Sequence, residues 1–216
     1  MSASGHAVAF AAPAGTRGAA LGYEPPADEP NAGRVWIASG GSHRVAAPDE
    51  AFRSRLLHAV LDFRIVDGAR LVLLGAEVAA LRPAERAALR ARIGFLPRNG
   101  GLISHLNGWE NIALPMGYHD PRRLREAAPR VYPLLEELGT EPGRLLSKLP
   151  EDMTLYEKKV AGYVRILLEA PDLVLVEDLN GGLEPGERAK AAGFASAYLA
   201  RCPQGTFVQL EGAPDA

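Results

Sequence analysis

The sequence has few of the features that mark secreted, membrane-spanning or nucleic-acid-binding proteins. Its only cysteine is Cys202, which excludes an internal disulfide and fits a reducing compartment. No apolar run approaches the roughly 20 residues that a membrane-spanning helix needs, and no basic residue precedes the short apolar stretch near the N-terminus. The formal net charge of -2 gives no electrostatic reason to expect nucleic acid as a partner. These absences predict a cytoplasmic protein that reaches a membrane only through a partner.

The chain is long enough for one well-cored domain, with 216 residues of which 47% are hydrophobic. Residues 1–32 are rich in Ala, Gly and Pro, which predicts a poorly ordered lead-in or an edge element. Residues 33–216 are predicted to form the folded domain, with a helical subdomain at roughly 103–165.

Short β-like runs alternate with stretches of helical periodicity from Gly33 onward. Within the helical stretch 121–138, Pro129 and Pro133 are expected to kink or interrupt the helix. Strands that alternate with helices predict an α/β fold around a mostly parallel sheet. Predicted strands are 35–39, 69–75, 92–97, 171–178 and 205–212, and predicted helices are 48–61, 121–138, 154–169 and 185–201.

Three stretches carry a family resemblance: LRARIGFLPRNGGLISHLNGWENIALPMGYH (89–119), LPEDMTLYEKKVAGYVRILLEAPDLVLVEDLNGGLEP (149–185) and GTFVQLEG (205–212). In this order they resemble the Q-loop, the signature-to-D-loop region and the switch-histidine strand of ABC transporter ATPases. The segment GGLISHLNGWENIALP is similar to the ATPases of Mla-type lipid and solvent-resistance transporters. The resemblance implies a P-loop NTPase fold with an inserted helical subdomain. It also implies a membrane permease and a second nucleotide-binding subunit as partners.

At the phosphate-loop position, counted by spacing, the sequence reads APDEAFRSRLL. Glu50 and Phe52 stand where the family has glycines, whose freedom lets backbone N–H groups curl around phosphate. Arg53 replaces the lysine, and Ser54 matches the Mg²⁺-binding hydroxyl. A carboxylate at Glu50 would oppose phosphate by about 4 kcal/mol per charge pair at about 4 Å. The alternative is an ordinary amphipathic helix with a solvated Arg53.

The metal-associated positions are also altered. Arg98 replaces the Q-loop glutamine, and a cation there would repel Mg²⁺; the alternative is a surface arginine in a loop. Glu177 and Asp178 stand at the two Walker B acids in swapped order. Each swap moves a carboxylate by about 1.5 Å, and a displacement of about 1 Å can cost about 100-fold in rate. Mg²⁺ binding by this pair and a solvated strand end both stay open.

The signature motif LSGGQ is replaced by MTLYE, with Thr154 at the serine position. Leu155 and Tyr156 are expected to fill the space that the family's glycines leave for phosphate. Thr154 and Glu157 form a T-x-x-E capping box, which predicts a stabilised helix start without phosphate contact. After the last strand, the sequence reads LEGA where the family has its switch histidine.

Because an ABC site combines one subunit's phosphate loop with its partner's signature, a chain that has lost both halves would impair both sites of a heterodimer. The resemblance with these changes predicts a degenerate, non-hydrolytic docking or regulatory subunit of a transporter, without a cofactor or metal site. Its location would be cytoplasmic, or peripheral at the inner membrane through the permease. One rival is a working ATPase that uses ATP and Mg²⁺ through Ser54, Glu177 and Asp178. A second rival is a free scaffold that has kept the fold.

The predicted docking surface for the permease is the stretch from Leu102 to Leu114, because the family places its coupling-helix groove there. Leu106 and Trp109 supply apolar area, with Trp109 as anchor. Glu110 and Asn111 are expected at a polar rim that fixes orientation. A core role for Trp109 is the alternative.

Overall fold

A computed structural model describes residues 18–28, 33–119 and 121–212, without the side chains of 117–119, 121, 123 and 127. These residues form eight strands and eight α-helices. The strands are β1 (Ala19–Glu24), β2 (Val35–Ala38), β3 (Gly41–Ala46), β4 (Arg70–Leu73), β5 (Ala76–Glu77), β6 (Ile93–Leu96), β7 (Leu173–Glu177) and β8 (Thr206–Glu211). The helices are α1 (Glu50–Asp62), α2 (Pro83–Arg90), α3 (Gly108–His119), α4 (Pro121–Glu137), α5 (Pro142–Ser147), α6 (Leu155–Glu169), α7 (Pro185–Ala191) and α8 (Phe194–Arg201).

The first sheet has the order β2-β1-β4-β5, so β1 is an inner strand. Both of its neighbours run antiparallel, and Tyr23 lies opposite Val35 on one side and Leu71 on the other. The prediction of a disordered lead-in or edge element is therefore wrong for 19–24, while 1–17 and 29–32 lie outside the described residues. The strand was missed because its residues, AALGYE, are mostly small and show no strand pattern. One of them is required to be small, because a Cβ at Gly22 would lie 2.6 Å from the Trp36 ring.

The second sheet has the order β3-β8-β7-β6, and β3 pairs with β8 in parallel from Gly41↔Thr206 to Ala46↔Glu211. The strands predicted at 92–97, 171–178 and 205–212 are confirmed as β6, β7 and β8. Four consecutive buried residues at the start of β7 explain why its apolar run was recognisable. Strand β3 was missed because GSHRVA has no apolar run and is half exposed.

Helix α4 continues through Pro129 and Pro133, so the predicted interruption is wrong and a kink stays a prediction. Each proline removes one intrahelical hydrogen bond. Both prolines are exposed, which leaves water free to reach the carbonyls that lose a donor. The helix predicted over 185–201 is divided into α7 and α8, and the Gly193 N–H bonds to the Lys190 carbonyl between them.

The chain forms two compact units. Of the described residues, the first comprises 18–28, 33–94, 171–175 and 202–212, and the second comprises 95–119, 121–170 and 176–201. The second unit extends beyond the helical subdomain that we predicted at roughly 103–165. Among the described residues, no helix has the length and apolar character needed to cross a membrane.

Candidate functional site

The phosphate-loop position lies in the first unit, between β3 and α1. Helix α1 begins at Glu50, and Asp49 is its N-cap. The Asp49 carboxylate accepts the Phe52 N–H at 2.6 Å. A helix N-terminus is a natural binding site for an external anion, but here the chain's own carboxylate is bound to it. Sequence reasoning passed over Asp49, although an aspartate directly before a helix is a standard N-cap signal.

The next residues of α1 belong to the core. Phe52 is 1% exposed and meets the Tyr23 ring edge to face, with centroids 6.2 Å apart. A Cβ at Gly33 would lie 2.5 Å from the Phe52 ring, so the ring packs directly on that glycine. The phenyl group, which the spacing predicts at a family glycine position, therefore fills the interior.

Arg53 is buried, which makes the predicted solvated arginine wrong. Its guanidinium pairs with Glu50, so the Glu50 carboxylate neutralises a buried cation. Burying a charge is tolerable when it is paired and hydrogen-bonded. Ser54, predicted as an Mg²⁺ ligand, is exposed on the outer side of α1.

The two acids at the end of β7 belong to the second unit and are bonded to Arg98. The Arg98 guanidinium lies 3.0 Å from the Asp178 carboxylate, measured from Nε to Oδ2. The Arg98 backbone N–H donates to Glu177 Oε2 at 3.2 Å. Arg98 is thus more than a solvated loop arginine, and the acids are more than a solvated strand end. Because the Arg98 side chain is 58% exposed, the ion pair is worth about 0–1 kcal/mol.

Lys159 is a buried cation that sequence reasoning missed. Its ammonium donates to the carbonyls of Asp178 and Leu179 at 2.8 Å and of Gly181 at 3.2 Å. Burial lowers the pKa of Lys159, while the nearby Asp178 carboxylate opposes that shift. The helical spacing could have predicted that Lys159 is buried, because it shares one face of α6 with Tyr156 and Tyr163.

At the signature position, the predicted capping box is confirmed. The Thr154 hydroxyl accepts the Glu157 N–H at 3.1 Å, and Glu157 Oε2 accepts the Thr154 N–H at 2.8 Å. The Lys148 ammonium lies 2.7 and 2.8 Å from the Glu157 oxygens. Burial alone would raise the pKa of Glu157, but these hydrogen bonds outweigh it and lower the pKa.

Tyr156 points into the interior, so the prediction that it fills a phosphate space is wrong. Its hydroxyl donates to the Leu138 carbonyl at 2.6 Å, and its ring lies 6.3 Å from that of Phe194. Burial, with a smaller contribution from Glu187, raises the pKa of Tyr156 to about 12. Leu155 is only half-buried and packs on Gly182, where a Cβ would lie 2.8 Å from Leu155 Cδ2.

The stretch from Leu102 to Leu114 is organised by Asn111. This side chain is fully buried; it accepts the Ile103 N–H and donates to the carbonyls of Ile103, Leu106 and Asn107. The prediction that Asn111 lies at a polar rim is therefore wrong, because its buried amide bonds to the backbone of residues 103–107.

The remaining residues of the predicted docking surface are accessible to different degrees. Leu106 and Trp109 are half-buried, and Leu114 is 37% exposed. Glu110 is exposed, and its carboxylate accepts the Asn107 N–H at 2.8 Å. Asn107 in turn accepts the Glu110 N–H at 2.9 Å, so the pair also caps the start of α3.

The known proteins that this chain resembles in sequence and in structure are components of ABC transporters. The chain is 30% identical over 161 residues to the lipoprotein-releasing system ATP-binding protein LolD 2 of Caulobacter vibrioides, covering 73% of this chain and 68% of that protein. The chain belongs to the ATP-binding subunits of ABC transporters. It is 25% identical over 182 residues to the Fe(3+) ions import ATP-binding protein FbpC 1 of Rhodococcus jostii, but spans only 50% of that relative's length. No protein-family model matches the chain.

The fold predicted from the resemblance is confirmed. The structure of cbiO1 from Clostridium perfringens, part of the ABC transporter complex cbiONQ, superposes with a TM-score of 0.70 at 16% identity. The match covers 91% of this chain and 79% of cbiO1. Within the residues that the structure describes, no group of three or more His, Cys, Asp or Glu side chains is placed to hold a metal ion.

Proposed function

We propose that this ABC-family chain is a non-hydrolytic subunit that docks on, or regulates, a membrane transporter. The observation that carries the proposal is the start of α1, where the Asp49 carboxylate already accepts the Phe52 N–H at 2.6 Å. A phosphate group arriving there would have to displace this bond and would meet the negative charge of Asp49.

Two further observations support the proposal. Arg98 pairs with Asp178 at the acids that would otherwise serve Mg²⁺, so a divalent cation would compete with a tethered one. At the signature position, the glycines are replaced by Leu155 and the buried Tyr156, and the Thr154 hydroxyl is used in the capping box. The three family positions for nucleotide are thus each engaged in contacts within the chain.

The main alternative is a working ATPase with altered motifs. It is favoured by its relatives, which carry the name ATP-binding protein, and by the retained Ser54, Glu177 and Asp178. A free scaffold without a transporter is the other alternative. Binding and turnover experiments decide among the three.

Nucleotide binding is tested by thermal unfolding with and without millimolar MgATP. We expect no shift, whereas ligand at 100 times its Kd would add about 2.7 kcal/mol. Ser54→Ala is the matched variant, since it changes only the retained hydroxyl. An upward shift of the wild type that Ser54→Ala reduces would favour the ATPase.

Hydrolysis is tested by phosphate release from MgATP. We expect turnover at background, and we expect that exchanging the acids by Glu177→Asp with Asp178→Glu does not rescue it, because Arg98 and the α1 start remain unchanged. Clear wild-type turnover that Asp178→Asn abolishes would refute the non-hydrolytic proposal.

The docking half of the proposal concerns the surface from Leu102 to Leu114, now without Asn111. We expect Trp109→Ala to weaken co-purification with an integral membrane permease by about 2 kcal/mol or more, the size of an aromatic hot spot. Tyr132→Ala is the control, because Tyr132 is an exposed aromatic of α4 in the same unit.

Two results would contradict this surface. If Trp109→Ala unfolds the isolated protein, the tryptophan is a core residue. If no multi-span membrane protein co-purifies with the wild type, the free scaffold becomes the better interpretation. The lipid cargo expected from the similarity to Mla-type ATPases stays a prediction, since the relatives above are named for Fe(3+) import and lipoprotein release.

A further inference from the structure

We propose that α6 is the centre of a ligand-independent lock, in which Lys159 and Arg98 hold the segment 178–182 and the loop 97–101 in one conformation without metal or nucleotide. The inference deepens the proposed function, because loops that stay closed without a ligand suit a docking subunit. It concerns only residues of the second unit.

The first part of the lock is the Lys159 ammonium. It has three N–H donors, and three backbone carbonyls, those of Asp178, Leu179 and Gly181, lie within 3.2 Å of it. These carbonyls converge because Asp178 adopts a left-handed conformation with φ of 43°. Aspartate tolerates this conformation better than most residues. The segment after β7 is therefore folded around a cation that belongs to the chain.

The second part joins α6 to the loop 97–101 by close packing. A Cβ at Gly162 would lie 2.2 Å from the Gly100 carbonyl oxygen, and one at Gly100 would lie 2.4 Å from the Lys158 carbonyl oxygen. The Arg165 guanidinium donates to the Gly101 carbonyl at 3.1 Å. The loop thus rests directly on the backbone of α6, where no larger residue fits.

The third part is Arg98, which links the two loops. Its side chain pairs with Asp178, and its backbone N–H bonds to Glu177. The cluster contains two cations, Arg98 and Lys159, and two acids, Glu177 and Asp178. Because the charges balance, the acids need no added metal to hold the end of β7 and the following segment.

Hydrogen–deuterium exchange of the full chain without nucleotide tests the lock. We expect Lys159→Met to speed exchange of the segment 178–184 by at least tenfold. Methionine keeps the length of the side chain but removes the donors. Lys158→Met is the matched control, since this half-buried neighbour on α6 does not reach the segment's carbonyls, and it should leave the exchange unchanged. Unchanged exchange in Lys159→Met would overturn the proposal.

Arg98→Ala tests the lock even if the Lys159 variants fail to fold. The Arg98 side chain is mostly exposed, so its removal leaves the core intact. We expect severalfold faster exchange at 97–101 and at 178–181, and no change at either loop would contradict the linking role. For Lys159→Ala, n-propylammonium supplies the missing chain and charge. It should restore slow exchange where n-propanol does not, and failure of this rescue would overturn the role of the ammonium.

MgATP separates this proposal from the proposed function. We expect wild-type exchange at both loops to be the same with and without millimolar MgATP. If phosphate release shows that the wild type hydrolyses MgATP while the loops stay unchanged, the non-hydrolytic subunit fails and the lock stands. If MgATP alters exchange at these loops, the lock itself is wrong.

Discussion

Helices α1 and α6 begin at the positions that the sequence predicts for the phosphate loop and the signature motif, and the two helix starts are built in different ways. At α1, one carboxylate, Asp49, caps the helix, and Phe52 packs into the core of the first unit. At α6, Thr154 and Glu157 cap each other, and Tyr156 adds a buried hydrogen bond in the second unit. In both places an aromatic side chain at a predicted family glycine position is part of the interior. Restoring the glycines would therefore remove core packing, and more bonds would be lost at α6 than at α1.

The largest expected effect is at the aromatic residue of α1. Phe52→Ala should lower the free energy of unfolding by about 3–5 kcal/mol, because it leaves a cavity beside Tyr23. Urea unfolding measures it, with Ser54→Ala on the exposed side of the same helix as control. That variant should stay within about 0.5 kcal/mol of the wild type. A loss below about 1 kcal/mol for Phe52→Ala would mean that α1 is not anchored by this ring.

The capping box of α6 should show a pH dependence. Glu157→Gln should cost about 1–2 kcal/mol at neutral pH, because it weakens the bonds to Lys148 and to the Thr154 N–H. The folded pKa of Glu157 lies below the ordinary glutamate value of 4.5, so its contribution to stability is present above that value and is lost as the pH falls through the folded pKa. Urea unfolding from pH 7 to pH 3 should show the two proteins converging.

The comparison for that experiment is Glu85→Gln in the exposed capping box of α2. Its carboxylate bonds to Arg82 at the surface, so we expect a smaller loss at neutral pH. Equal losses at Glu157 and Glu85 would show that the part-buried contact with Lys148 adds no more than the surface contact with Arg82.

The Tyr156 hydroxyl should contribute less. Tyr156→Phe keeps the ring beside Phe194 but leaves the Leu138 carbonyl without this donor, which should cost about 1 kcal/mol. Thermal or urea unfolding measures the loss, with Tyr132→Phe at the exposed face of α4 as an unaffected control. No difference between the two variants would mean that the hydroxyl is not bonded in solution.

The smallest effect is expected at the cap of α1. Asp49→Asn keeps an N-cap oxygen and removes only the charge, so it should cost about 0.5 kcal/mol through the helix dipole. The loss should shrink in about 1 M salt, where the Debye length is about 3 Å. A loss that is independent of salt would show that the Asp49 charge does not act through the helix end.

The sequence by itself determined the local features. The N-cap at Thr154, its partner three residues later and the apolar run of β7 depend on near neighbours, and each appears in the structure as predicted. The resemblance to ABC ATPases was also readable, because motif order and spacing survive when single residues change. The prediction failed where small residues formed an inner strand, as in β1, and where polar ones formed β3.

Only the tertiary structure decided which side chains meet across long separations. Lys159 reaches a carbonyl 22 residues away, Tyr156 one 18 residues away, and the Arg98 N–H bonds to Glu177 across 79 residues. The periodicity of the sequence does not predict such partners. A charged side chain is stable in the interior only where the fold places hydrogen-bond acceptors around it. Local propensity placed the helices and strands, while the burial of Lys159, Arg53 and Asn111 followed from the acceptors and donors that surround each of them.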